Sequence, residues 1–255
     1  PGKIRDPYTE IYVRCWFENY SSGLPAHTCA ETQRNVWSIG SHGGLIRPLV
    51  VSAIAARAYQ GLGLAIEHQN LTHRSENVAA ALGVLVPLFN ALLCGAAPRH
   101  AIEAYARSIR VPRITGDALF ATYREHNGPG NIPGPEMWKI HTELTDAPFE
   151  VDSLIRKNSC QQVVKHMLST ACYPEHGLPL LLYLAENDGL DIESTLLANA
   201  NAGGDNVHRG MVLGLIVGAA QDELPDDLRR GLSDYEALQS EINAFSDVVL
   251  GGHAI

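Results

Sequence analysis

Positive charge is scarce in this sequence. Its 255 residues carry 19 Lys and Arg against 28 Asp and Glu, which gives a formal net charge of −9. Proteins that bind nucleic acid need a basic stripe that replaces the counterions on phosphates. The deficit argues against nucleic acid as a partner. An anionic small molecule stays possible, because helix N-termini and glycine-rich loops bind phosphate without net positive charge.

Paired cysteines and a leader segment are also lacking. The five cysteines are an odd number, and none of them forms a Cys-x-x-Cys pair. This pattern fits a reducing cytoplasm better than a disulfide framework. The chain opens at Pro1 without an initiator Met or an apolar leader, so it is either processed or a piece of a longer protein. We predict a cytoplasmic location.

Aromatic residues are few, with nine Tyr, five Phe and three Trp, whereas Leu and Ala number 30 and 29. Leu and Ala are strong helix formers, and strands rely more on β-branched and aromatic residues. The composition therefore predicts a mostly helical protein. Because it does not change along the chain, we expect one compact multi-helix domain over residues 1–255.

One long uncharged run raises the question of a membrane. Residues 77–98 carry no formal charge and are mostly Ala, Leu and Val, which is long enough to span a bilayer. Asn77, Gly83, Pro87 and Asn90 interrupt the run, and no comparable second run follows. A helix that is buried on all sides gives the same pattern. We predict such a core helix and no membrane partner.

Periodicity and capping residues predict a series of helices. The first, over residues 6–20, is expected to bury Ile11, Tyr12, Cys15, Trp16 and Phe17. The second starts with Pro48 in its first turn and is weakened or ended by Gly61 and Gly63. Asp191 and either Thr72 or Ser75 are expected as N-caps. The other predicted helices are 76–95, 99–110, 115–126, 151–157, 160–173, 178–186, 191–200, 205–220 and 234–249, with a loop over 127–135.

The strongest polar cluster lies between Asn201 and Arg209. Gly203 and Gly204 allow the backbone to turn sharply or to approach a ligand. Asp205 then stands at the start of a helix, where it either caps the helix or holds a hard cation such as Mg²⁺. The residues alone leave both interpretations open.

Four segments, residues 40–48, 71–73, 171–179 and 198–205, resemble motifs of the ADP-ribosylglycohydrolase family and follow one another in the family's order. Residues 198–205, followed by a Gly- and Ala-rich apolar helix, resemble the C-terminal signature of that family. Residues 40–48 resemble its glycine-rich loop, which ends in Arg and Pro. Residues 71–73 resemble its Thr-His-Pro segment, and residues 171–179 resemble a Gly-Tyr stretch that is followed by Leu-Pro. The resemblance covers residues 6–220.

The resemblance implies an all-α hydrolase that cleaves the glycosidic bond at the anomeric ribose carbon of ADP-ribose. The partner would be an ADP-ribose-like small molecule or an ADP-ribosylated protein. In the family, two Mg²⁺ ions lie between a Thr-Asp-Asp segment near the N-terminus and an Asp-x-Asp-Thr run after the Gly-Gly pair. Paired divalent ions can polarise a ribose hydroxyl and activate a water.

The chain departs from this pattern twice. It contains no Thr-Asp-Asp segment, so we expect it to be truncated at its N-terminus. Of the C-terminal run only Asp205 is kept, and the next two ligand positions hold Val207 and His208. Val cannot bind Mg²⁺, and His suits transition metals better than so hard an ion. An altered site with Mg²⁺ or another divalent metal is therefore predicted.

The predicted site joins the glycine-rich loop to the C-terminal cluster. Asp205 and His208 are the expected catalytic residues and the expected metal ligands. Loop N–H groups are expected to face a diphosphate, and Arg209 a phosphate. His73 and Cys172 are expected to be structural. The alternative is a non-catalytic member of the fold, either an ADP-ribose binder or a structural, crystallin-like protein. The predicted substrate-binding residues are Ser41, His42, Gly43, Gly44, Gly203, Gly204, Asn206 and Arg209.

Overall fold

The computed structural model describes residues 9–30, 40–55, 58–109 and 149–251. Over these ranges the chain forms helices and no strand, which confirms the all-α prediction. The helix predicted over 115–126 and the loop over 127–135 lie outside the described residues. The α-helices are α1 (Ile11–Ser21), α2 (Gly43–Ser52), α3 (Ala58–Gln69), α4 (Glu76–Leu93), α5 (Pro98–Ala106), α6 (Val151–Lys157), α7 (Cys160–Gln162), α8 (Pro174–Asn187), α9 (Ile192–Ala202), α10 (Asn206–Ala219), α11 (Asp226–Arg230) and α12 (Tyr235–Gly251).

Two predicted helix starts are confirmed by their caps. The Ser75 hydroxyl accepts a hydrogen bond from the Val78 N–H at 3.4 Å, where α4 begins. The Asp191 carboxylate accepts one from the Ser194 N–H at 2.8 Å, where α9 begins. Each side chain satisfies a backbone donor that has no partner within the helix. At both positions the local sequence is sufficient to predict where the helix begins.

The boundary between α2 and α3 differs from the prediction. Helix α2 begins at Gly43 and contains Pro48 in its interior, and Gly61 lies inside α3 instead of ending it. Leu45, Pro48 and Leu49 are buried, and this packing outweighs the backbone hydrogen bond that a proline removes. A Cβ on Gly61 would lie 2.8 Å from the Ser52 carbonyl oxygen. The glycine therefore lets the two helices approach closely.

Helix α4 is a central element of the described fold. It packs against α2, α3, α5, α8 and α10, and Leu82, Leu85 and Leu88 are fully buried. Burial is confined to one side, since Gly83 and Leu93 are exposed, so burial on all sides was a wrong expectation for α4. Among the described residues it is the one helix whose length and composition suffice to cross a membrane.

Helix α1 departs from its predicted orientation. Ile11 and Phe17 are 49% and 57% exposed, and α1 contains no fully buried residue. Trp16 stacks on Tyr20, with ring centroids 5.2 Å apart, along the surface of the helix. Tyr12 instead contacts His73, with ring centroids 4.0 Å apart. Helix α1 therefore contributes to the candidate site through Tyr12.

Candidate functional site

The carboxylate of Asp205 is bonded to two imidazoles. Asp205 precedes α10, but its side chain makes no capping hydrogen bond to the helix. Its Oδ1 accepts from His208 Nδ1 at 3.0 Å, and its Oδ2 accepts from His42 Nδ1 at 3.2 Å. Asp205 therefore stands at the N-cap position as predicted, but its side chain does not cap the helix. Because each Nδ1 donates its proton to a carboxylate oxygen, each neutral ring carries its free lone pair on Nε2.

His42 reaches Asp205 from the glycine-rich loop before α2. Its ring is fully buried, and its backbone N–H donates to the Cys172 carbonyl at 2.8 Å. Gly177 of α8 provides the space for the ring, because a Cβ at that position would overlap it. We predicted His42 as part of a loop that binds phosphate through its backbone. The structure places its side chain on the carboxylate instead.

Glycines shape the turn that presents Asp205. Gly203 and Gly204 adopt φ of 68° and 65°, in a region that L side chains rarely enter. A Cβ on Gly204 would overlap Thr170, and the Asp205 N–H donates to the Thr170 carbonyl at 2.9 Å. The predicted sharp turn is present, and it holds Asp205 against residues 168–173.

Arg209 stabilises this turn through the hydrogen bonds of its side chain. It is fully buried, and it donates to Asn199 Oδ1 at 2.7 Å, Gly203 O at 2.8 Å and Thr170 O at 3.1 Å. These protein acceptors occupy the guanidinium N–H groups that we expected to bind a phosphate. The expected phosphate contact is replaced by a positioning role.

Asn206 also faces the protein. Its Nδ2 donates to the Ala200 carbonyl at 3.3 Å, and its own carbonyl accepts from Asn199 Nδ2 at 2.8 Å. Both bonds lead to α9 and away from the Asp205 carboxylate. Its predicted contact with the substrate is not favoured by this placement.

Three polar atoms surround the start of α2. A Cβ on Gly43 would lie 3.6 Å from Ser41 Oγ and 3.8 Å from Nε2 of both His73 and His208. Within the described ranges, Ser41 Oγ and His73 Nε2 are buried without a hydrogen-bond partner. Buried polar atoms are normally satisfied by protein, water or ligand. The space beside Gly43 is therefore a candidate ligand position.

The loop offers fewer backbone donors than predicted. The His42 N–H is bonded to Cys172 O, and the Gly44 N–H donates to Ser41 O at 3.0 Å. Gly44 serves close packing, because a Cβ on it would lie 3.0 Å from His73 Cγ. The main role of this glycine-rich loop is therefore to bring the site side chains together. Two of its N–H groups are bonded within the protein and do not face a diphosphate.

His73 is the site residue that sequence reasoning missed. We expected it to pack at a helix start, yet its Nε2 faces Gly43. Its Nδ1 is 2.8 Å from Thr72 Oγ1, which accepts from Arg47 Nη2 at 3.2 Å. The Thr72 hydroxyl can donate a hydrogen bond to Nδ1, and the neutral His73 ring then carries its N–H on Nε2. The Thr-His pair within the resembling segment was the signal that could have indicated this role.

The pKa values of His73 and His208, whose imidazoles face Gly43, are shifted in opposite directions. Burial raises the pKa of Asp205, but the hydrogen bonds from His208 and His42 outweigh burial and hold it well below its usual value. The bond to Asp205 raises the pKa of His208. Burial, with Arg47 and His208 nearby, lowers the pKa of His73 to about 4. His73 is therefore neutral at pH 7, whereas His208 is the readily protonated partner.

Cys172 lies close to this centre without being activated. Burial and the nearby Asp205 carboxylate raise the pKa of its thiol to about 11. A thiol with so high a pKa carries little thiolate at neutral pH and is a weak nucleophile. Its described contribution is the backbone carbonyl that accepts from His42.

Comparison with known proteins identifies the family. Residues 10–253 match the sequence model of the ADP-ribosylglycohydrolase family. The match spans nearly the whole chain, so the protein belongs to that family. A search of curated proteins found no significant match. The match extends beyond the four motifs to α11 and α12.

The described residues do not fit the pair of Mg²⁺ ions implied by the family. Mg²⁺ takes oxygen ligands, mainly carboxylates, phosphates and water. Both Asp205 oxygens already accept from imidazoles, and Val207 and His208 stand at the following ligand positions. Across the described ranges, no three His, Cys, Asp or Glu side chains are arranged to hold a metal.

Proposed function

We propose that this member of the ADP-ribosylglycohydrolase family hydrolyses a glycosidic bond at the anomeric ribose carbon of an ADP-ribose-like substrate. The supporting observation is the 3.0 Å hydrogen bond between His208 Nδ1 and Asp205 Oδ1. A carboxylate that accepts from Nδ1 fixes the imidazole tautomer and leaves Nε2 for proton transfer. The His208 side chain is 31% exposed, so water and substrate can reach it.

His208 would act as base and then as acid. Its Nε2 takes a proton from water while the water oxygen bonds to the anomeric carbon. The glycosidic bond breaks, its electron pair departs with the leaving group, and the leaving group takes the proton from His208. Asp205 stays ionised and stabilises the imidazolium between these steps. One water is consumed and free ADP-ribose is released.

Ser41 and His73 would bind the ribose. Their buried Oγ and Nε2 atoms face the same space as His208 Nε2. A ribose carries neighbouring hydroxyls that both donate and accept, and a neutral His73 can donate to one of them from Nε2. The substrate would then complete the hydrogen bonds that these buried atoms lack among the described residues.

A second candidate function is binding without hydrolysis. It is favoured by the replacement of the family's ligand positions by Val207 and His208, and by the engagement of both Asp205 oxygens. In that case the same space beside Gly43 would hold ADP-ribose, and no bond would be cleaved. A purely structural, crystallin-like protein would not bind ADP-ribose.

Release of ADP-ribose from peptides modified on Arg or Ser tests these candidates. We expect wild-type protein to release ADP-ribose, and Asp205→Asn and His208→Gln to reduce the rate by about 100-fold, the typical contribution of general acid–base catalysis. Asp222→Asn, at an exposed acid in the chain segment after α10, is the matched control and should retain the rate. Calorimetric binding of ADP-ribose without release would establish the second candidate instead. Absence of both would leave a structural role.

A further inference from the structure

The partners of Asp205 are chemically different from those that the family uses. A divalent cation would neutralise this carboxylate by binding its oxygens directly. Here Oδ1 and Oδ2 each accept one imidazole N–H, at 3.0 Å and 3.2 Å. An imidazole binds a metal through an unprotonated nitrogen, which in both rings is Nε2, so neither Nδ1 can share a metal with the oxygen that it bonds. A cation at Asp205 would therefore compete with these two donors for the lone pairs of the carboxylate.

His42 cannot easily leave the carboxylate. Its ring is fully buried, Gly177 closes against it, and its backbone is held by the carbonyl of Cys172 at 2.8 Å. A rotation that frees Oδ2 would move the ring into neighbouring atoms in a packed interior. The packing of the His42 ring against Gly177 of α8 therefore keeps Oδ2 bonded to His42.

Protein groups also compensate the negative charge. His208 donates to Oδ1, and the buried Arg209 lies on the next turn of α10, within electrostatic range of Asp205. A carboxylate that already has two hydrogen-bond donors and a nearby guanidinium attracts a further cation weakly. The charge balance and the hydrogen bonds around Asp205 therefore both disfavour a divalent cation at this carboxylate.

We propose that His42 and His208 take the place of the family's divalent cations as partners of Asp205, so that this site receives its ligand without a divalent metal. The identity of the ligand rests on the function proposed above. Whether this site binds a divalent metal is a property of the protein alone, and it is tested without any substrate.

Calorimetric titration of the metal-free full chain with Mg²⁺, Mn²⁺ and Zn²⁺ is the direct test. We expect no binding that depends on Asp205, and a melting temperature that is equal in EDTA and in millimolar Mg²⁺ to within about 1 °C. A cation that binds the folded state would raise the melting temperature. Binding of Mg²⁺ or Mn²⁺ at micromolar concentration, abolished by Asp205→Asn, would overturn the proposal. The double variant Val207→Asp/His208→Thr restores the oxygen ligands of the family's C-terminal run, and we expect it to bind Mg²⁺ or Mn²⁺ more tightly than wild type.

Nuclear magnetic resonance provides a readout that needs no ligand. We expect the Nδ1 protons of His42 and His208 to give slowly exchanging signals that Mg²⁺ does not change and that Asp205→Asn removes. Gly177→Ala should weaken the His42 signal, because the added Cβ overlaps the ring. Gly83→Ala, on the exposed side of α4 with open space around it, should leave both signals intact. Loss of the signals on addition of Mg²⁺ would contradict the proposal.

Binding of ADP-ribose separates the two proposals. We expect its dissociation constant to agree within about twofold between EDTA and Mg²⁺, a difference below 0.5 kcal/mol. A tenfold tighter affinity in Mg²⁺ would refute metal independence and leave the proposed function standing. If ADP-ribose does not bind under either condition, the proposed function fails, and the metal titration still decides this inference.

Discussion

Three fully buried polar side chains, His42, His73 and Arg209, determine where the other site residues stand. His42 bonds Asp205, His73 bonds Thr72, and Arg209 bonds the backbone carbonyls of Gly203 and Thr170. A buried polar group that loses its partner costs about 1–3 kcal/mol. Each of these residues therefore ties the shape of the site to the stability of the fold.

Arg209 gives a prediction about stability. We expect Arg209→Met to lower the free energy of unfolding by about 3 kcal/mol or more, because the Thr170 and Gly203 carbonyls and the Asn199 side chain lose their donors. Urea unfolding measures the change. Arg156→Met removes an exposed arginine that pairs with Asp152 on α6, and such pairs contribute up to about 1 kcal/mol. Equal losses in the two variants would contradict the positioning role of Arg209.

At the scale of elements, α4 has one buried and one exposed side. Leu85 is fully buried between helices, whereas Leu93, at the end of the same helix, is 52% exposed. Both side chains contribute equally to the uncharged run in the sequence. The tertiary contacts of α4 with five other helices separate their roles.

The pair Leu85→Ala and Leu93→Ala tests this assignment. We expect Leu85→Ala to reduce the free energy of unfolding by about 2–5 kcal/mol, because it leaves a cavity in a packed core. Leu93→Ala should change it by less than about 1 kcal/mol, since the leucine is half in solvent. Chemical unfolding followed by circular dichroism provides both values. A reversed order would mean that α4 presents its other side to the core.

At the scale of the whole molecule, a buried carboxylate links stability to pH. Glu186 lies near the end of α8 and is 5% exposed. Burial and the neighbouring Glu103 raise its pKa to about 7, although Arg99 opposes the shift. Because the folded state holds this proton more tightly than the unfolded chain, the stabilisation is complete below about pH 4.5. It is lost as pH rises through 7.

We therefore expect Glu186→Gln to flatten the pH dependence of stability. Wild type should lose up to about 3 kcal/mol from this group between pH 4.5 and 8, the energy equivalent of its pKa shift. The amide variant should not show this part of the loss. Thermal melts over that range measure the difference, with Glu193→Gln, at an exposed position of α9, as the matched control. Parallel curves for wild type and Glu186→Gln would show that the carboxylate is not the source.

The boundary between α2 and α3 and the end of the helix predicted over 160–173 did not follow from the sequence. Most other helices, the caps at Ser75 and Asp191 and the Gly-Gly turn before Asp205 did. Each of these features depends on residues a few positions apart, such as Ser75 with Val78 or Asp191 with Ser194. Local hydrogen bonding and helical periodicity determine them. The ordered motifs also led to the family, which the match over residues 10–253 confirms.

The partners of the site side chains were decided only by tertiary structure. His42 and Asp205 are 163 positions apart, and no local pattern shows that Gly177 makes room for the imidazole. The same holds for His73, which reaches the site through the packing of α2 beside α4. It also holds for the bond from Arg209 to the Thr170 carbonyl, 39 positions away. The periodicity of apolar residues predicts which side of a helix is apolar. The direction of a buried polar side chain depends on which remote groups can satisfy it in a packed interior.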